Sequence, residues 1–257
     1  MIGSVLRGVF SANRGAKANA RAGAPKIQVY LRQCFLSPNA NLPSRSRPEW
    51  FDKGKVFGNF KRVIDPKLAA CVIVYDNALG PRSETFLAGA TNCVEITAGT
   101  EAGSFLKTLD VAMQSGLPDD TIVYFLEDDY LHREGWCTAL IEAFDLGAHY
   151  VALYDHRDKY TAYPGLESAI LVSKSSHWRA TPSTTNSYAV KLGMLREDIA
   201  VHRHFSLHSD NGVSLDHQKF EELWKRKRTL ISPMPGYSTH CDDKHLSPVI
   251  DWASYCR

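Results

Sequence analysis

Glu127, Asp128 and Asp129 stand in a row directly after the apolar run 122–126, within the stretch TIVYFLEDDYLHREGW. Adjacent carboxylates repel one another and partial burial raises that cost, so a fold keeps such a group mainly where a cation compensates it. Side chains alternate along an extended segment, which puts Glu127 and Asp129 on one side and Asp128 on the other. That pair can share one hard, oxygen-seeking ion, Mg2+ or Mn2+. The competing reading is a solvated acidic turn ahead of the next helix. A buried strand leading straight into the acids weighs against it.

The elements around the triplet follow from periodicity. Residues 122–126 are too short for a helix and lack polar alternation, so they read as a strand covered on both faces. Acids at its end then lie where open α/β sheets place ligands, beyond the carboxyl ends of the strands. Segments 26–35, 68–75, 94–96 and 149–154 read as further strands. Helices are expected around Trp50, Phe51, Phe57 and Phe60, over the stretch carrying Phe105, Leu106, Leu109 and Met113, and over 135–144. This alternation argues a mostly parallel, doubly wound sheet. Segments 168–173 and 187–191 read as two more strands separated by HWRATPSTTN.

Other residues placed for chemistry each carry two readings. Asp76, just past a strand, is an acid at a ligand crevice or an Asp-Asn turn bonded to its own backbone. TAGTEAGS opens a helix with small residues that let backbone N–H groups approach a phosphate, although helix entry alone accounts for it. Asp155, His156, Arg157, Asp158 and Lys159 line a cleft or pair with one another at its rim. Trp178 offers an aromatic face to the C–H surface of a sugar ring, or packs in the core. Asp216 falls in the first turn of a helix marked by Phe220, Leu223 and Trp224, where acids also serve the helix dipole.

The strand-E-D-D-Y arrangement resembles the DxD-type motif of glycosyltransferases with the GT-A nucleotide-sugar-binding fold. Together with LYDH, STTN, LDH and STHC...LSPVIDW, it is similar to a group of bacterial and large-virus members, from about Lys26 to the end of the chain. The resemblance implies an α/β, GT-A-like fold: a mostly parallel central sheet flanked by helices, with a smaller antiparallel acceptor-side sheet. It implies a metal-dependent transferase that moves a sugar from a nucleotide-diphosphate sugar to a hydroxyl of a glycan, lipid-linked or protein-linked acceptor, with inversion. By the same resemblance Asp129 is a metal ligand, Glu127 assists at metal or ribose, Asp128 lies at the sugar or ribose side, and Asp76 contacts the nucleotide. Asp216 takes the place of the general base, with Asp210 as the alternative. His240, in the loop of the C-terminal tail, is a further metal or phosphate ligand, and Asp155, His156 and Trp178 fall on the acceptor side. EDDY departs from the plain motif, so which acid meets the ribose stays open.

Two other functions compete. A sugar nucleotidyltransferase uses a related sheet, but normally shows a Gly-rich basic loop after the first strand, where this chain reads FLSPNANLPSRSRP. A noncatalytic carbohydrate- or nucleotide-binding domain would need neither metal nor base.

A chain of 257 residues, 44% hydrophobic, suits one α/β domain, here residues 26–257, preceded by a basic amphipathic leader or tail at 1–25. No acid precedes Glu49, whereas Arg7, Arg14, Lys17, Arg21 and Lys26 do, and Ile2, Val5, Leu6, Val9 and Phe10 fall at helical spacing. Residues 1–22 therefore offer a peripheral contact with an anionic membrane, or a targeting peptide or solvated tail. Nucleic acid is not an expected partner, since aromatics are not interleaved with these charges. No apolar stretch approaches the ~18 residues that span a bilayer. Six cysteines without CxxC spacing favour reduced core thiols and a cytoplasmic setting.

Overall fold

The computed structural model describes residues 24–37, 46–208 and 211–257. The leader up to residue 23 and Asp210 lie outside the described residues. In chain order the elements are β1 (Ile27–Cys34), α1 (Lys53–Val63), β2 (Ala69–Asp76), β3 (Cys93–Ile96), α2 (Glu101–Met113), β4 (Ile122–Leu126), β5 (Tyr130–His132) and α3 (Trp136–Asp145). There follow β6 (Tyr150–Val151), α4 (Asp158–Thr161), β7 (Ile170–Val172), β8 (His177–Ala180), β9 (Tyr188–Lys191), α5 (Leu192–Leu207), α6 (Asp216–Lys225), β10 (Leu230–Met234) and β11 (Ser238–His240).

The main sheet runs β3-β2-β1-β4-β9-β6-β10-β8-β7. Its first four strands are mutually parallel. β9 is antiparallel to β4 and to β6, β10 returns parallel to β6, and β8 and β7 close the edge antiparallel. A separate two-stranded antiparallel sheet pairs β5 with β11. The fold is thus the α/β architecture expected from the sequence: a large, mostly parallel sheet flanked by helices, with a small antiparallel one.

β4 explains why the sequence pattern worked. Ile122, Tyr124 and Leu126 enter the core beneath α1 and α3, with Phe60, Trp136 and Leu140. Val123 and Phe125 enter the opposite core beneath α2, α5 and α6, with Phe105, Leu195 and Phe220. Both faces are covered, so every residue of the strand is apolar and buried. Burying side chains of this size contributes about 1.5–3 kcal/mol each, which anchors the strand end that carries the acids.

Between the acids and α3, Tyr130, Leu131 and His132 form a short strand, β5, which pairs with the C-terminal β11. Segments 168–173 and 187–191 contain strands as expected, β7 and β9, and both pair antiparallel within the main sheet. One expectation is corrected: the segment between them is not a mere connection, since His177–Ala180 forms β8 against β10. No helix among the described residues is long and apolar enough to cross a membrane.

Candidate active site

The pleat of β4 carries on into the acids. Glu127 turns toward the α2 side, where Arg32 Nη2 lies 2.9 Å from its Oε1, and Ser187 Oγ donates to its Oε2 at 3.1 Å. Asp128 turns toward α1, where Lys53 Nζ is 2.7 Å from its Oδ2. Asp129 faces the small sheet. The β5–β11 register sets His240 opposite Tyr130, which brings His240 Nε2 to 3.0 Å from Asp129 Oδ2 and stacks its ring on Tyr130 at 5.2 Å. Arg47 Nη2 reaches the same Oδ2 at 2.7 Å, while its Nη1 donates to the Cys241 carbonyl at 2.7 Å. Asp128 and Asp129 are both buried.

These acids border a cleft of about 80 Å3 at the carboxyl ends of β1, β2 and β4, which Arg32, Cys34, Asp76, Thr100, Glu101 and Ser104 also line. Asp76 is at this edge, as expected, but its carboxylate is engaged: it accepts from the backbone N–H groups of Ala78, Ala98 and Gly99 at 2.9–3.1 Å. It thereby ties the loop entering α2 to the end of β2. Gly99 has φ +77°, a backbone that L side chains rarely adopt, so glycine there lets that loop turn onto Asp76.

Glu101, in the first turn of α2, is the junction that periodicity does not single out. Arg32 Nη1 is 3.0 Å from its Oε1, Asn186 Nδ2 donates to that oxygen at 2.8 Å, and Ser214 N–H donates to Oε2 at 2.8 Å. Asn186 in turn accepts a short bond from Lys219 Nζ, which also donates to Asp216 Oδ1 at 3.1 Å. The candidate base is therefore joined to the acid triplet by one run of contacts: Asp216, Lys219, Asn186, Glu101, Arg32, Glu127.

The electrostatics differ sharply among these carboxyls. Burial pushes Glu127 up to about 7; Arg32 opposes this, and the charges of Asp129 and Glu101 add to it. Burial acts the same way on Asp129, yet His240 and Arg47 outweigh it and hold the group well below the usual carboxylate range. Burial raises Asp216 to about 6, with Lys219 working against the rise and Glu101 for it. Glu127 and Asp129, two residues apart, thus differ widely in proton affinity, the first pushed up to about 7 and the second held ionised.

Charge compensation here comes from the chain itself. Arg32, Lys53, Arg47 and His240 meet the acids, and among the described residues no three of His, Cys, Asp and Glu are drawn together to hold a metal. In kind, the donor set of Glu127, Asp129 and His240 fits Mg2+ or Mn2+, two hard carboxylates and one imidazole. At Asp129 Oδ2 such an ion would take the place of Arg47.

The remaining predicted residues lie elsewhere. Trp178 is corrected: it is fully buried in β8, packed in the core with its Nε1 donating to Ser173 Oγ at 3.1 Å, and presents no face to a sugar. Asp155 is likewise sealed, bonded by Arg179 Nη2 at 2.6 Å and by the Tyr160 hydroxyl at 2.7 Å, so it cannot touch a substrate. His156 pairs with Asp158 at 2.7 Å and packs its ring against Tyr154 and His245. The charged stretch after β6 pairs within itself and with Arg179, and none of it lines the cleft.

Arg32, Lys53, Arg47, Asn186 and Lys219 were not singled out in advance. A signal existed for two of them. Arg32 is the one charged residue of β1, a strand buried almost throughout, and a buried charge needs a partner. Lys219 shares a helix face with Phe220 and Leu223, the buried side of α6.

No family model and no curated protein matches the chain. Among solved structures, a 4-diphosphocytidyl-2C-methyl-D-erythritol synthase aligns over 91% of this chain and 100% of its own at 13% identity, with a TM-score of 0.46. At that identity and score nothing about substrate or chemistry passes between the two.

Proposed function

We propose that the chain is a glycosyltransferase of the nucleotide-sugar-dependent, GT-A-like kind, moving a sugar to a hydroxyl of a glycan, lipid-linked or protein-linked acceptor with inversion. One observation carries the reading: a fully buried strand delivers three consecutive acids into a cleft at the carboxyl edge of a parallel sheet, with Arg32, Glu101 and a helix entry beside them. The attacking oxygen forms a bond to the anomeric carbon, and the bond to the leaving phosphate oxygen breaks with its electron pair going to the nucleoside diphosphate. The acceptor proton passes to Asp216, whose side chain is 26% exposed and whose elevated proton affinity suits a general base.

Mg2+ or Mn2+, held by Glu127 and Asp129 with His240, would neutralise charge developing on the leaving diphosphate. The chain's own cations contribute to the same end. Arg47 and Lys53, now paired with Asp129 and Asp128, lie at the acids and are placed to turn toward phosphate oxygens. The cleft is far smaller than the ~300 Å3 and upward typical of ligand sites, so donor binding requires the cleft to open. Asp76 acts by shaping the loop over the nucleotide, since its oxygens are already engaged.

The same cluster of Arg32, Arg47 and Lys53 favours a second reading, a sugar nucleotidyltransferase acting on a nucleoside triphosphate. Thermal stabilisation across a panel of nucleotide sugars and triphosphates with Mn2+ or Mg2+ names the ligand, and product analysis separates the two. Release of nucleoside diphosphate supports the transferase. Pyrophosphate release from a triphosphate with a sugar phosphate supports the second reading, and binding without turnover points to a noncatalytic domain.

A further inference from the structure

Lys219 is a cation with 0% exposure. An ordinary i,i+3 helix pair sits in solvent and contributes little. Here Nζ lies 5.0–5.2 Å from the ring centres of Phe105, Tyr188 and Phe220, with Asn186 and Asp216 as its hydrogen-bond acceptors. Taking an ammonium out of water costs several kcal/mol unless it is well paired, and a methionine would fill such an aromatic cage without that cost. The arrangement is also one-sided. Lys219 is sealed, whereas Asp216 keeps 26% of its side chain open. Lys219 engages Oδ1, which leaves Oδ2 to take a proton.

We propose that Lys219 is a positioning residue for Asp216: it fixes the carboxylate's orientation and holds it ionised, a role that rests on the reading of Asp216 as general base. The charged groups acting on Asp216 are Lys219 on its own helix, Glu101 from α2 and Arg32 from β1. Glu101 disfavours the ionised form and Arg32 favours it from farther along the run, so Lys219 is the nearest charge keeping Asp216 ionised. Asn186 passes the constraint on, through Glu101 and Arg32, to Glu127 on the donor side.

The test pairs two readouts on the full chain. Carboxyl-carbon NMR follows the titration of Asp216, assigned by its loss in Asp216→Asn, and transfer is measured across pH. In Lys219→Met the Asp216 midpoint should move up by about one unit or more, and transfer at pH about 5.5 should fall by a further ~10-fold relative to its fall at pH about 8. Lys219→Arg, which keeps the charge, should leave the midpoint near that of the wild type. An unmoved midpoint in folded Lys219→Met, or a loss of transfer equal at all pH, overturns the proposal. If that variant does not fold, Lys219→Gln carries the same expectation and the same refutation. Wild-type transfer by Asp216→Asn removes the base reading itself; it is distinguishable because the titration needs no turnover.

Discussion

Arg47→Gln should tighten divalent-cation binding. Arg47 Nη2 and His240 Nε2 both lie within 3.0 Å of Asp129 Oδ2, and the two residues of the Arg47–Asp129 pair are only 16% and 7% exposed. A hydrogen bond to a charged group is worth roughly 1.5–3 kcal/mol, and an ion taking that oxygen must displace it. Removing the guanidinium therefore lowers the concentration of Mn2+ needed for half-saturation by about 10- to 100-fold. The variant without metal should also be less stable, by up to about 3–5 kcal/mol, because a buried carboxylate has lost a partner, and Mn2+ should restore much of that loss. Free Mn2+ counted by electron paramagnetic resonance during titration reads the affinity without turnover, and a thermal melt with and without Mn2+ reads the recovery. Unchanged or weaker Mn2+ binding in folded Arg47→Gln would refute the competition between Arg47 and a metal at Asp129.

Further outcomes follow from the same geometry. Glu127 has its folded pKa raised from an ordinary 4.5 to about 7, so the native state binds more protons than the unfolded state in that window and loses stability as pH rises through it. Glu127→Gln removes this loss: its stability relative to wild type should climb between pH about 4.5 and about 7, by at most about 3 kcal/mol, read by urea denaturation at several pH values. A flat difference would show that Glu127 titrates normally. Trp178→Ala should cost about 3–5 kcal/mol of stability through the cavity left in the core, while donor affinity per folded molecule stays unchanged; a selective loss of acceptor binding would return Trp178 to the site.

What could be read from the chain, and what could not, divides along physical lines. β4 was legible because a strand buried on both faces is a continuous apolar run, β1 because its residues alternate, and the site's edge followed from the acids at the ends of β2 and β4. α5 was not recognised, although it is the longest helix described. Its buried side includes Asp198, His202 and Ser206, which bond within the core, for example Tyr150 to Asp198 at 2.9 Å and to His202 at 3.0 Å. Buried polar residues of this kind erase the apolar periodicity. The cations that meet the acids were hidden for a different reason: Arg47 reaches Asp129 and Lys53 reaches Asp128 across more than seventy residues, and no local pattern encodes such a pair.

The most direct measurement compares wild type with Asp129→Asn in nucleotide-sugar turnover with Mn2+, with circular dichroism confirming that both are folded. The wild type should consume at least one donor in the panel and release its nucleoside diphosphate, while the variant should show no metal-dependent turnover. Turnover by folded Asp129→Asn at the wild-type rate would contradict the assignment of the acidic cleft as the place where the donor diphosphate is held.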